Sequence, residues 1–423
     1  MGIRASEEGF QRIQAAIADR GWARNSTKWP ALVIKLNTPE VEHPEIDPDL
    51  ENFSQTSWRR FIENEGNISL QKFRWCCHAL GLDPEEIRSP DESSPEPEAI
   101  YIQRPPLESQ CDHALQQPGA LVRVRGPRQL GKTRLLCWLL EQARQRGDRP
   151  VFLDMQTADD RDRADLTTWL QWFCRETARS LQLDPTIVAE AWDLDSTPKN
   201  NCSELWLNAF LKPSDRPLVV ALDNVDLLFT QSWAKDFFGL IRGWFDKAKT
   251  LSQWKKVRFI LSYSTEVYIE LEIHQSPFNV GHEARLPNFT LEQASQWAEQ
   301  LELALTSSQV ADLVGVTGGY PHLLELAWRE LQGQAPDAIA NLVAQAPTLA
   351  GIYRSDLNKL YDLAKQAQLG AAIAQMVASD EAVSLDLNTM RSLERLGLGQ
   401  FVGQGIAWRC AMYRDFFAAH PVR

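Results

Sequence analysis

Between residues 101 and 288 short apolar runs alternate with amphipathic stretches, the order expected of a parallel sheet whose strands are linked by helices. The run 121–125, LVRVR, alternates apolar and polar residues. The runs 150–155, 217–222 and 257–262 are largely apolar and so predict strands buried on both faces. Outside this region the period lengthens to that of a helix. Phe10, Ile13 and Ile17 follow a capping Ser6, and a second helix is predicted over 26–36. Two more fall between 53 and 87, with Ser54 or Thr56 capping the first, Ser69 capping the second and Gly81 ending it. On the C-terminal side Thr290 caps LEQASQWAEQL, Gly318 and Gly319 close SSQVADLVGVT, and Pro321 can open the next helix at its first turn. Helices over 357–368, 370–377 and 388–396 precede a short hairpin over 399–408. A last amphipathic helix carries Met412, Phe416 and Phe417.

Two polar stretches punctuate this pattern. Residues 37–52, NTPEVEHPEIDPDLEN, hold three prolines and six acids with no Lys or Arg, and read as a loop. Residues 88–100, RSPDESSPEPEAI, read as an extended linker, because Pro, Ser and Glu in that proportion cannot bury a core. The resulting plan is a helical domain over 1–87, the linker, an α/β core over 101–288, a helical lid over 289–350 and a C-terminal domain over 351–423. Helices followed by a small hairpin make that last segment a winged-helix candidate. The succession over 53–87 looks like the later helices of a repressor-type helix-turn-helix, with Ser54, Gln55, Ser57, Arg59 and Arg60 on the face that would meet DNA. A small helical module that binds protein fits the same segment equally well.

Charge bears on that choice. The chain of 423 residues has a net charge of −12, and residues 1–100 alone hold eleven Lys and Arg against eighteen Asp and Glu. Such a surface repels phosphate and disfavours nonspecific nucleic-acid binding. Seven scattered cysteines, an odd number without metal-type spacing, make a poor disulfide framework, and Cys76 and Cys77 are expected in buried packing. No run approaches the ~18 uncharged apolar residues of a membrane span, so a cytoplasmic protein without a membrane partner is expected.

The candidate chemistry centres on GPRQLGKT, residues 126–133: glycine, four residues, glycine, lysine, threonine, placed between a predicted strand and a predicted helix. Gly126 and Gly131 let backbone N–H groups approach phosphate oxygens, and the following helix adds the positive end of its dipole. Lys132 would reach the β- and γ-phosphates and Thr133 would present its hydroxyl to Mg²⁺. About ninety positions on, PLVVALDNVD places Asp223 at the carboxyl end of an apolar strand, where ligands bind in such sheets and where it can share Mg²⁺ with Thr133. Asn224 follows; an amide can orient water but cannot take its proton, so slow hydrolysis is expected. Asp226, two positions on, is the candidate substitute. The strand over 257–262 ends near Ser264, Thr265 and Glu266; Ser264 and Thr265 can touch the terminal phosphate or its water, or equally satisfy local backbone groups, and Glu266 puts a carboxylate at the same sheet edge. His322, near a helix N-terminus, can face the nucleotide, although a surface role is favoured.

With these pieces placed, the chain resembles the AAA-like branch of the STAND class of P-loop ATPases. The resemblance rests on YIQRPPLE (101–108), GPRQLGKT, PLVVALDNVD, STEVYIELEIHQSPFNVG (264–281) and GGYPHLLELA, which together cover about residues 100–330. It implies a P-loop NTPase core with a parallel sheet, then a helical lid and a winged helix, with ATP or ADP and Mg²⁺ as cofactors. It also implies nucleotide-controlled switching between closed and open or assembled states. The chain departs from the family's usual Asp-Glu pair by having Asp223-Asn224. Two functions follow as expectations: a switch in signalling or defence, acting through self-assembly or a protein partner, and an ATP-regulated DNA-binding regulator.

Overall fold

The four predicted strands form, and a fifth joins them. The computed structural model describes residues 2, 3, 5, 7–19, 61, 68, 69, 76, 77, 80, 82, 100–264, 276–332 and 338–422, in two units, Met1–Ala99 and Ile100–Arg423.

In the first unit the strand β1 (Gly2–Ile3) pairs antiparallel with β2 (Ile68–Ser69), and the helix α1 (Glu7–Asp19) lies between them in sequence. Ile13, Ala16 and Ile17, one face at helical spacing, are buried with Phe61, Cys76, Cys77 and Leu80. The cysteines are core residues, as expected. The sequence pattern missed the β1–β2 pairing, which joins residues more than sixty positions apart through two-residue strands. The helix predicted over 26–36, the DNA-facing residues of 53–87 and residues 88–99 of the linker lie outside the described residues.

The second unit opens with α2 (Leu107–Gln116) and β3 (Leu121–Arg125), followed by α3 (Lys132–Gln145), β4 (Arg149–Asp154), α4 (Leu166–Ser180) and α5 (Pro198–Leu205). Next come β5 (Leu218–Asp223), α6 (Ala234–Lys247), β6 (Val257–Tyr263) and β7 (His282–Arg285). The sheet order is β4-β5-β6-β3-β7, and every pairing in it is parallel. β5 and β6 are buried throughout, as their apolar runs require. Alternation divides β5 between the two faces: Val219 and Ala221 face the core shared with α3, while Leu218, Val220 and Leu222 face α4, α5 and α6.

That second face is aromatic. Trp206 lies 5.0 Å from Phe173 and 4.7 Å from Trp244, which in turn stacks on Trp254 at 5.0 Å. The tryptophans here are packing anchors, as composition suggested.

From Thr290 the chain is helical: α7 (Leu291–Gln300), α8 (Ser307–Thr317), α9 (Pro321–Leu331), α10 (Ala338–Gln345), α11 (Arg354–Gln366), α12 (Gly370–Val377) and α13 (Leu387–Leu396). Thr290 makes the predicted cap, reinforced by Gln293 in a reciprocal capping box, and Gly318 ends α8 in the left-handed region at φ 63°. A hairpin, β8 (Gly399–Val402) with β9 (Gly405–Trp408), and the helix α14 (Ala411–Ala419) complete the fold. One apolar core runs from Val124 and Leu136 through Phe289, Leu323 and Tyr353 to Phe416, so the sheet and the C-terminal helices share buried surface. No described helix is long and apolar enough to cross a membrane.

Candidate functional site

The sequence from Gly126 to Thr133 turns from β3 into α3 as its spacing requires. Gly131 stands at the helix N-cap with φ 93°, in the left-handed region, and a Cβ there would sit 3.3 Å from Arg104. A Cβ at Gly126 would meet the Leu130 side chain at 2.9 Å. The left-handed φ thus favours glycine at 131, while at 126 a side chain would have to displace the Leu130 methyl.

Lys132 is buried, and its ammonium donates to the carbonyls of Gly126 and Pro127 and to the Ser264 hydroxyl, each at 2.8 Å. Burial pulls its pKa down to about 8, against the raising effect of the Asp226 and Asp223 carboxylates. A bound phosphate would raise that pKa again, so binding takes up protons and affinity falls as pH rises above about 8. Near pH 8 a net uptake of protons on binding is expected. Calorimetry in two buffers of different ionisation enthalpy checks this, and equal apparent enthalpies would contradict it.

Thr133 donates its hydroxyl hydrogen to Asp223 Oδ2 at 2.6 Å. Asp223 is almost wholly buried, and burial raises its pKa. No Lys or Arg among the described residues lies within ion-pair distance of it. Two hard oxygen donors so close, one of them a poorly solvated carboxylate, fit Mg²⁺.

The backbone N–H of Asn224 donates to Asp223 Oδ1 at 3.0 Å, and φ is 57°, which asparagine tolerates better than most residues. Its side-chain Nδ2 donates to Asp154 Oδ1, also at 3.0 Å. Asp226 accepts from the Ser264 N–H at 3.3 Å, so the ends of β5 and β6 are joined next to Lys132. The fold thus brings together Gly126, Gly131, Lys132, Thr133, Asp223, Asn224, Asp226 and Ser264. Thr265 and Glu266 lie outside the described residues.

Sequence reasoning missed several neighbours. Asp154 pairs with Asp223 in the register of β4 and β5 and also ends its strand, so the strand-end rule that singled out Asp223 applies to it too. Beside the loop a cavity is lined by Tyr101, Ile102, Arg104, Gln129, Phe289 and His322, among others. His322 is thus a cavity residue and not a purely surface one, bonded through Nε2 to Asp356 Oδ1 at 3.1 Å. The C-terminal helices reach the loop as well. The Tyr320 hydroxyl donates to the Arg128 carbonyl, and Arg125, at the end of β3, pairs with Glu394 of α13 at 3.1 Å.

In sequence, 86 residues are 30% identical to an uncharacterised WD repeat-containing protein of Nostoc sp. PCC 7120, covering 20% of this chain and 7% of that protein. The chain therefore matches only a small part of that relative's length. Among solved structures, the Aeropyrum pernix ORC2 protein (ADPNP-ADP complexes) is similar, with a TM-score of 0.48, 14% identity and coverage of 77% of this chain and 96% of the other. A STAND protein with a tetratricopeptide repeat sensor from Pyrococcus horikoshii has a TM-score of 0.36 at 15% identity, covering 75% of this chain and 42% of the other. The AAA-like domain family matches residues 89–419, which is most of the chain, and the chain belongs to that family.

Proposed function

We propose that this chain is a nucleotide-held molecular switch that binds ATP or ADP with Mg²⁺, hydrolyses slowly and relays the state of its phosphate loop to its C-terminal helices, in signalling or defence. The observation that carries this reading is the direct bonding of those helices to the loop: Tyr320 to the Arg128 carbonyl, and Glu394 to Arg125 at the loop's entrance. A nucleotide phosphate competes for the Lys132 ammonium, which here holds the Gly126 and Pro127 carbonyls. Any shift of those peptides moves the segment that Tyr320 and Glu394 hold. Thr133 and Asp223 would hold Mg²⁺, which when bound supplies neutralisation of phosphate charge.

Hydrolysis needs a group that takes the water's proton. Asn224 cannot, and loss of general-base catalysis lowers rates by about 10² to 10⁴. Asp226 and Ser264 remain the candidate water-positioning groups beside it. The C-terminal hairpin exposes Phe401 and Val402 and has no Lys or Arg between residues 399 and 408, so it lends a DNA-bound regulator no support.

Glu394→Lys tests the relay. It replaces an attraction with a repulsion at a pair that is only 16% and 24% exposed, so release of a fluorescent ADP analogue should accelerate about fivefold or more. Stopped-flow displacement measures the rate. An unchanged rate in a variant that still binds nucleotide would sink the relay.

A further inference from the structure

Arg104 lies well before the loop in sequence, yet its side chain is built into it. The residue is 3% exposed, and its Nη2 donates to the Leu130 carbonyl at 2.9 Å. The guanidinium carbon sits 4.3 Å from the centre of the Phe289 ring. Its Nε is buried and has no hydrogen-bond partner. No carboxylate among the described residues forms an ion pair with it. Glu108 does not reach its guanidinium group; Glu108 Oε1 instead accepts the Arg104 backbone N–H at 2.7 Å and the Tyr101 hydroxyl at 2.8 Å. A charge buried in this way is expensive unless it performs a task that an apolar side chain cannot.

The peptide between Leu130 and Gly131 suggests the task. In a planar trans peptide the carbonyl and the following N–H point in opposite directions, so holding the Leu130 carbonyl from one side turns the Gly131 N–H to the other. We propose that Arg104 is a positioning residue for the phosphate loop: by anchoring the Leu130 carbonyl it aims the Gly131 amide at the nucleotide's phosphates, and by lining the adjoining cavity it ties loop geometry to what fills that cavity. This rests on the nucleotide-binding reading above. Phe289, stacked beneath the guanidinium, keeps it from swinging away. The bond from Nη2 to the Leu130 carbonyl holds that peptide against flipping.

The test compares ADP with AMP as ligands of the full chain by calorimetry. Arg104→Met keeps the length of the side chain and removes its donors. It should lower affinity for ADP about tenfold or more and affinity for AMP by less than about threefold, because the loop serves chiefly the phosphate beyond the first. Arg104→Lys, which can still donate to the Leu130 carbonyl, should recover most of the ADP affinity. If Arg104→Met does not fold, Arg104→Gln is read against the same two ligands. Equal losses for ADP and AMP, unchanged ADP binding, or no recovery with lysine would each overturn the proposal. A wild-type chain that binds neither nucleotide would overturn the nucleotide reading itself.

Discussion

Lys132→Ala lowers affinity for ATP and for ADP by about ten- to a hundredfold. A charge-assisted hydrogen bond to phosphate contributes about 1.5 to 3 kcal/mol, and the substitution removes the buried loop ammonium at the site. The hydrogen bonds that Lys132 makes in this structure set the scale more closely. Lys132 already holds two carbonyls and a hydroxyl there at 2.8 Å, so binding exchanges those partners for phosphate oxygens and gains only the difference. An effect toward the lower end of the range is therefore expected for ADP, and a larger one for ATP, whose terminal phosphate adds charge within reach of Lys132. Isothermal calorimetry on the two proteins decides the matter. Equal binding would place the nucleotide somewhere else.

Trp206→Ala is expected to cost about 3 to 5 kcal/mol of stability. The indole is fully buried and contacts Phe173, Phe210, Trp244 and Phe259. Removing it leaves a cavity walled by rigid rings that collapse poorly. Its Nε1 has no hydrogen-bond partner, so Trp206→Phe, which also removes that orphaned donor, should cost far less. Urea unfolding of both variants measures the difference, and similar midpoints for wild type and Trp206→Ala would show that the aromatic face is not a load-carrying core.

The elements legible in the sequence were those specified by short-range chemistry. The strand 121–125 and the helix 370–377 were placed to the residue, because alternation and a tight pair of boundaries lie within a few positions of each other. The glycine, lysine and threonine of the loop were legible for the same reason. β7 was not. Its sequence HEAR shows little apolar character, since an edge strand is half solvated and only Ala284 of its residues is buried. Asp154, Arg104 and Tyr320 were missed because each acts on a residue far away in the chain, up to 192 positions for Tyr320 and Arg128. Such convergence is a property of the sheet order, which no local pattern contains. Asp154 alone had a local signal, its place at a strand's carboxyl end.

The apolar core that joins the sheet to the C-terminal helices has a bearing on solubility. Leu323, Tyr353 and Phe416 are buried because the sheet side and the helices cover one another. A switch that swings these helices off the loop must hand part of that surface to water, at about 25 cal/mol for every Å² of apolar area. An opened chain would thus be adhesive, and its lifetime would depend on how soon another apolar surface covered it. Opening and self-association would then be linked by mass action, so the same nucleotide could leave dilute chains closed and drive crowded ones into complexes.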